Sequence, residues 1–313
     1  MERFHHYTPE DAIYANLQES AQRAGMICEQ EISHLSELAS ELVRGIDTSS
    51  LSTTSIFEFL PKYFFKKTDV LSQHANMIEK AQSCRSVWLD VVLSEQICKR
   101  LTGRENFSLD DFFTESDEGA FDAKDRIAYQ SNSYADAAYL RFSSLLNNPR
   151  MHYTNNFPAA CEAVFDGRCE FCILPLENSS EGILNSFLRL IDRFSLCICA
   201  TCDITSADHS RSTKFALLRR TLTPFRPEKG GKQYFEFSCP IDQSPSPSDI
   251  LTAAELCALS LCRIDTHIRQ TDEKEMTEVR FLFDISDGMF SVFLLYLTMR
   301  ARGIVWRGLY PHL

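Results

Sequence analysis

The stretch Cys172-Ile173-Leu174-Pro175-Leu176-Glu177-Asn178-Ser179-Ser180-Glu181-Gly182 decides how the rest of the chain is read. It begins as a continuous apolar run, the signature of a buried strand, and ends in a polar tip. Asn178 has the chemistry of a helix N-cap, and Glu181 three residues on completes a capping-box pattern. The reading predicts a strand at Cys169–Leu176 running straight into a helix at Ser179–Arg193. The first free N–H groups of that helix, beside two serine hydroxyls, would suit a small anion.

Alternation of the same kind extends outward on both sides. Arg126–Tyr129 reads as a strand and Tyr134–Leu146 as a helix, followed by strand Met151–Tyr153 and helix Phe157–Phe165. Leu196–Ala200 and Thr213–Arg219 are further strands. Repeated βα units predict a largely parallel sheet flanked by helices. Downstream of a Pro/Gly hinge at 226–232, strand Tyr234–Cys239, helix Asp249–Leu261, strands Arg263–Gln270 and Glu278–Ile285, helix Met289–Ala301 and strand Ile304–Leu309 spell βαββαβ, the ferredoxin-like order. Upstream the first hundred residues read as helical. Thr8-Pro9-Glu10-Asp11 is a start signal, and helical regions follow to about Arg44, at Ile56–Lys67 and at Thr68–Leu101. Between Ser108 and Ala123 lie Asp110, Asp111, Glu115, Asp117, Glu118 and Asp122 with no basic residue, which reads as a solvated linker.

The expected fold is therefore multidomain α/β and α+β: a helical region with acidic linker (1–122), a single truncated periplasmic-binding-like α/β lobe (123–225), and a ferredoxin-like unit (226–313). A net charge of -11 argues against general nucleic-acid or anionic-membrane binding. Met1-Glu2-Arg3-Phe4-His5-His6 carries no apolar run, and Met289–Met299 is too short to span a bilayer. The expectation is a cytoplasmic protein. Of the twelve cysteines, Cys169/Cys172 and Cys197/Cys199/Cys202 have spacings that zinc or an iron–sulfur cluster could use. Their strand-like surroundings favour buried apolar thiols instead, so neither a metal nor any other cofactor is expected.

Taken in order, Ile127-Ala128-Tyr129-Gln130, Tyr134-Ala135-Asp136-Ala137-Ala138, Phe157-Pro158-Ala159-Ala160-Cys161-Glu162-Ala163-Val164 and the Pro175-Leu176-Glu177-Asn178-Ser179 tip resemble the first lobe of the prephenate dehydratase family. Ser212-Thr213-Lys214-Phe215 is similar to that family's Thr-Arg-Phe motif, and the tail to its regulatory ACT domain. The resemblance implies conversion of prephenate to phenylpyruvate with loss of water and carbon dioxide. Thr213 would be the catalytic proton donor, and Glu177, Asn178, Ser179, Ser180, Lys214 and Phe215 would bind substrate. It also implies a homodimer, and His267 and Arg269, with Arg269 the better candidate, as weak counterparts of the effector motif.

The departures are specific. Only Ile204–Ser212 separate Asp203 from Thr213, where the family has a whole second lobe. Lys214 replaces an arginine and loses its bidentate fork. The glycine loop after the first strand is absent, and Ser244-Pro245-Ser246-Pro247-Ser248 replaces the effector loop. Two alternatives to the dehydratase follow. One is a non-catalytic sensor of a small carboxylate, either prephenate or an aromatic amino acid. The other is a helical chorismate mutase using cations among Arg23, Arg44, Lys66, Lys67, Arg85, Lys99 and Arg100.

Overall fold

The computed structural model describes residues 9–44, 86–102, 126–222, 225, 231–242, 245–270, 275–301 and 303–313. The expected helix at Ile56–Lys67, the first part of Thr68–Leu101, the acidic linker and the boundary at 122 lie outside them, as does most of the Pro/Gly hinge.

The elements are α1 (Pro9–Val43), α2 (Ser86–Thr102), β1 (Arg126–Gln130), α3 (Ser133–Ser143), β2 (Arg150–Thr154), α4 (Phe157–Phe165), β3 (Phe171–Asn178) and β4 (Gly182–Ile183). They continue with α5 (Asn185–Arg193), β5 (Cys197–Thr205), β6 (Ser212–Arg219), β7 (Gln233–Pro240), α6 (Pro247–Leu256), β8 (Ser260–Gln270), β9 (Glu275–Asp284), α7 (Phe290–Arg300) and β10 (Val305–Pro311). Local chemistry accounts for several boundaries. Asn132 caps α3 by accepting from the Tyr134 and Ala135 amides, and Asn156 caps α4 through Ala159. Ser246 and Asp249 form a reciprocal capping box on α6.

All ten strands belong to one mixed sheet, ordered β2-β1-β3-β6-β5-β10-β7-β9-β8 with β4 paired to β3. β1 is parallel to β2 and β3. β6 lies antiparallel between β3 and β5, so the lobe is mixed rather than largely parallel. The cause is the connection. The six-residue loop 206–211 turns β5 back on itself as a hairpin, and a hairpin can only make antiparallel neighbours. The C-terminal half is not a separate sheet. β10 pairs antiparallel with β7 on one side and parallel with β5 on the other, where Gly308 is opposite Ile198.

Cores form on both faces. Ile127, Phe171, Cys199, Phe215 and Leu217 pack with α3, and Cys172, Leu174, Ile198, Ala216 and Leu218 pack with α4 and α5. In the C-terminal half Phe235, Phe237, Phe281, Phe283 and Phe293 stack in one aromatic core, which also takes in Val91, Ile97 and Cys98 of α2. α7 is buried from Phe290 to Thr298 on every side. A helix apolar all round needs a second layer over it. α2 supplies that layer, lying across α6 and α7 with Arg300 ion-paired to Asp90. The described N-terminal helices thus pack over the C-terminal half.

Candidate functional site

The carboxyl ends of β1, β2 and β3 lie along one edge. β1 leads to β2 on one side, and the chain then crosses to β3 on the other. Such a switch point opens a crevice outside the strand ends, where α/β proteins bind ligands. Three asparagines line this rim: Asn132 after β1, Asn156 after β2, and Asn178 at the end of β3. The first two cap α3 and α4, so two helix N-termini, with free N–H groups and positive dipole ends, face the rim.

The tip of β3 differs from its sequence reading. No helix starts at Ser179. Asn178 accepts from the Ser180 amide (3.0 Å), the Ser180 hydroxyl (3.0 Å) and the Glu181 amide (2.6 Å), closing a turn. Gly182, at φ +69°, then reverses the chain so that β4 pairs back on β3. α5 begins only at Asn185, with no side-chain cap. Asn178 therefore satisfies local amides as a cap would, but for a hairpin, and the left-handed backbone at Gly182 is what diverts the chain. The anion-friendly helix ends belong to α3 and α4 instead.

Register brings Thr213 opposite Asn178, Lys214 opposite Glu177, and Phe215 opposite Pro175. Ser179 ties the tip down. Its amide donates to the Ser212 carbonyl (2.9 Å) and its hydroxyl accepts from the Ser212 amide (3.1 Å). Alternation along β6 then separates the expected site residues. Phe215 belongs to the α3-side core and Ala216 to the α4/α5-side core. Thr213 accordingly shares a face with Phe215, and Lys214 lies on the opposite one. Phe215 is core, 3% exposed. Glu177, Lys214, Asp203 and Ser212 line a shallow pocket of about 250 Å³ with Asn178 and Ser179. Two acids there outnumber one base, so the electrostatics suit a dianion poorly.

The connection between β5 and β6 is self-contained. Asp208 accepts from the hydroxyls of Ser206 (2.5 Å) and Ser210 (2.7 Å), which pull its carboxyl down to about 2.

His267 lies on β8 in a cleft of about 590 Å³ with Arg280, Leu188 and Asp192. Its Nε2 is 3.4 Å from Glu278 and 3.9 Å from Asp192. Arg269 pairs through its backbone with Met276, and its side chain lies outside the described residues. Of the mutase cations, Arg23 pairs with Glu19, Lys99 with Glu95, and Arg100 donates to Ser36 and Ser40 of α1. Lys66, Lys67 and Arg85 are outside the described residues. The cysteines divide between the two sheet faces, Cys199 and Cys202 on one and Cys169 and Cys172 on the other. Burial pushes the Cys202 thiol up to about 12. Among the described residues no group of three His, Cys, Asp or Glu side chains is placed to hold a metal. Also among them, no helix is long and apolar enough to cross a membrane.

Sequence reasoning missed Arg263, which lies between Glu177 and Glu236. Arg263 of β8 is 3.9 Å from Glu177 and 3.8 Å from the buried Glu236 of β7. No local pattern signals this, because the contact depends on how the sheet coils.

The fold is that of a mixed α/β protein whose lobe brings three strand ends and two helix N-termini to one edge. Residues 127–207 match the family described as prephenate dehydratase. No curated protein matches the chain. Among solved structures, prephenate dehydratase from Streptococcus mutans is similar at 18% identity over 60% of this chain and 99% of that one, with a TM-score of 0.48. GqqA, a quorum quenching acylase, aligns at 20% identity over 59% of this chain and 94% of its own, TM-score 0.43. Prephenate dehydratase from Arthrobacter aurescens, in complex with L-Phe, aligns at 13% identity over 59% and 89%, TM-score 0.44.

Proposed function

We propose that this chain is a prephenate dehydratase-like protein that binds a small carboxylate of the aromatic amino acid route at the rim of its lobe and acts as a ligand sensor, without turning prephenate over. The observation that carries this reading is the β5–β6 hairpin. It carries β6, whose alternation sets Thr213 on the α3 face and Lys214 on the α4/α5 face. Loss of water and carbon dioxide from prephenate needs a proton donor, partners for two carboxylates and exclusion of bulk water around one substrate. Here Thr213 is not among the residues that line the pocket of Lys214, and two acids, Glu177 and Asp203, line that pocket with it. The N-termini of α3 and α4 remain to hold one carboxylate.

The ACT-like reading of the C-terminal half, a homodimer formed through it, and a cytoplasmic location belong to the same proposal. A carboxylate effector at Arg269 is part of it too. His267 contributes less, since it already faces Asp192 and Glu278. A second reading, residual dehydratase activity with Thr213 as donor, is favoured by one observation: Thr213 still sits directly opposite Asn178.

The test is incubation of the purified chain with prephenate, following phenylpyruvate, beside calorimetry with prephenate. The sensor reading expects binding and no phenylpyruvate above the acid-catalysed background. Turnover abolished by Thr213→Ala would replace it with the dehydratase reading.

A further inference from the structure

The edge of the lobe opposite the rim gathers arginines. β1 starts at Arg126 and β2 at Arg150, and the two are register partners in a parallel pair. Their side chains therefore emerge on one face of the sheet. Ile127 packs on the α3 side and Ala128 on the other, which puts Arg126 on the α4/α5 face. Arg220, just past β6, lies on that face too. Its guanidinium is 5.4 Å from the Phe165 ring at the end of α4 and donates to the Phe165 carbonyl at 3.1 Å. Arg193, in the last turn of α5, is 5.4 Å from the Phe194 ring, and the two rings meet edge to face at 5.9 Å. Phe165 is 47% exposed. Burial pushes the Cys169 thiol up while Arg126 and Arg168 both oppose it, which brings Arg168 into the same group.

The carboxylates nearest in sequence are already taken. Asp166 pairs with Arg168 at 3.0 Å, and Glu170 with Arg219 at 2.5 Å. Among the described residues Arg126, Arg150, Arg193 and Arg220 have no carboxylate partner, and all four are exposed. Helix C-termini account for Arg193 and Arg220, since cations there offset the carbonyl ends of α5 and α4. Nothing of that kind accounts for Arg126 and Arg150. Like charges side by side on paired strands repel, so the pair calls for an anion from outside the sheet. In a chain of net charge -11 this face is a local reversal of sign.

The chain carries a segment of matching chemistry. Ser108–Ala123, outside the described residues, has six acids, no base, and Phe112, Phe113 and Phe121 interleaved with them. Carboxylates suit the arginines, and phenyl rings suit the exposed Phe165. Asp122 is four residues from Arg126, and Asp110 is sixteen. Extended chain of those lengths reaches about 13 Å and about 50 Å, whereas the face spans only about 14 Å from β2 to β6. A segment tethered this closely acts at an effective concentration on the order of millimolar. We infer that the arginine face on the α4/α5 side is a docking surface for the chain's own acidic, phenylalanine-bearing segment 108–122. The inference is independent of the ligand reading at the rim.

The experiment is limited chymotrypsin digestion of the full chain, reading cleavage after Phe112, Phe113 and Phe121 by mass mapping. Rates are normalised to the same sequence as a free peptide. Arg126→Gln/Arg150→Gln is expected to speed these cuts about fivefold, the factor that two surface ion pairs of ordinary strength supply. Raised salt should speed them in the parent chain and much less in the variant. Both arginines are exposed, so the variant should keep the parent's circular dichroism. Arg126→Glu/Arg150→Glu should be cut fast, and adding Asp110→Lys/Asp111→Lys should restore slow cutting. Equal normalised rates in parent and Arg126→Gln/Arg150→Gln would overturn the inference. Protection that rises with protein concentration would also overturn it, giving the face to the segment of a second copy. So would retention of oligo(dT) that the double variant loses without any change in cleavage, which would give the face to nucleic acid.

Discussion

Thr213 and Lys214 are adjacent in sequence and cannot act on the same side of the sheet, because successive strand residues point to opposite faces. Glu177, two strands from Asp203, has become part of the same polar face as Lys214. His312 joins this face from the C-terminal side. Its Nδ1 meets the Thr201 hydroxyl at 3.0 Å and its Nε2 lies 3.3 Å from Asp203. Burial holds its imidazole below the ordinary value; the Asp203 carboxylate opposes this and Lys214 adds to it. The sign follows directly. A base with a depressed folded pKa disfavours the protonated folded state, so its contribution is full above about 6.5, the unfolded value, and is lost as pH falls through the folded value. The urea midpoint should therefore drop between about pH 7.5 and about pH 5.5. In His312→Gln the drop should shrink, since the amide can still bond Thr201 but does not titrate. An identical drop in both proteins would assign the pH dependence to other groups.

At the scale of elements, the sequence was most legible where the cause is local. α4 occupies the expected residues, Phe157–Phe165, because Asn156 and Pro158 fix its start and a buried apolar face runs through it. The helix expected at Ser179 fails for an equally local reason, since Asn178 closes an Asx turn as readily as a helix cap and Gly182 then reverses the chain. β5 runs to Thr205 rather than Ala200 because β6 pairs with it along its whole length, a partnership that no window of β5 contains. The junction of the two halves was not legible at all. It depends on Gly308, where an added Cβ would meet the Ile198 carbonyl oxygen at 2.7 Å and the Ile198 Cβ at 2.9 Å. The backbone of β10 can approach β5 only without a side chain there. Gly308→Ala should cost about 1–3 kcal/mol, as overpacking does, and should broaden or split the urea transition as the halves lose their seam. A single unshifted transition would show that the seam does not couple them.

Across the whole molecule, the two halves are joined by a second device that composition could not reveal, a buried ionic network between the lobe's α5 and the C-terminal sheet. Asp192, near the end of α5, accepts from Arg307 and lies 3.4 Å from Arg280 and 3.9 Å from His267. Arg307 continues to Glu278 at 3.3 Å, and Ser238 donates to Glu278 at 2.7 Å. The side chains of Arg280 and Arg307 are each 4% exposed, and that of Glu278 is fully buried. Charges removed from water this completely are stable only while paired. In the sequence Glu278, Arg280 and Arg307 read as ordinary strand positions, because what matters is which strand and helix they meet across the coil of the sheet. Asp192 is the only lobe residue among these six, so its removal separates the contribution of the interface from that of the C-terminal sheet itself. Asp192→Ala leaves two buried guanidiniums facing Glu278 and Glu236 with one acid fewer, and should cost about 3–5 kcal/mol in urea unfolding. Asp192→Asn keeps an acceptor and should cost less. The double variant Asp192→Ala/Arg307→Met removes the stranded charge with its partner and should recover part of the loss. If Asp192→Ala falls within about 0.5 kcal/mol of wild type, the range of ordinary surface substitutions, then the network does not hold the halves together.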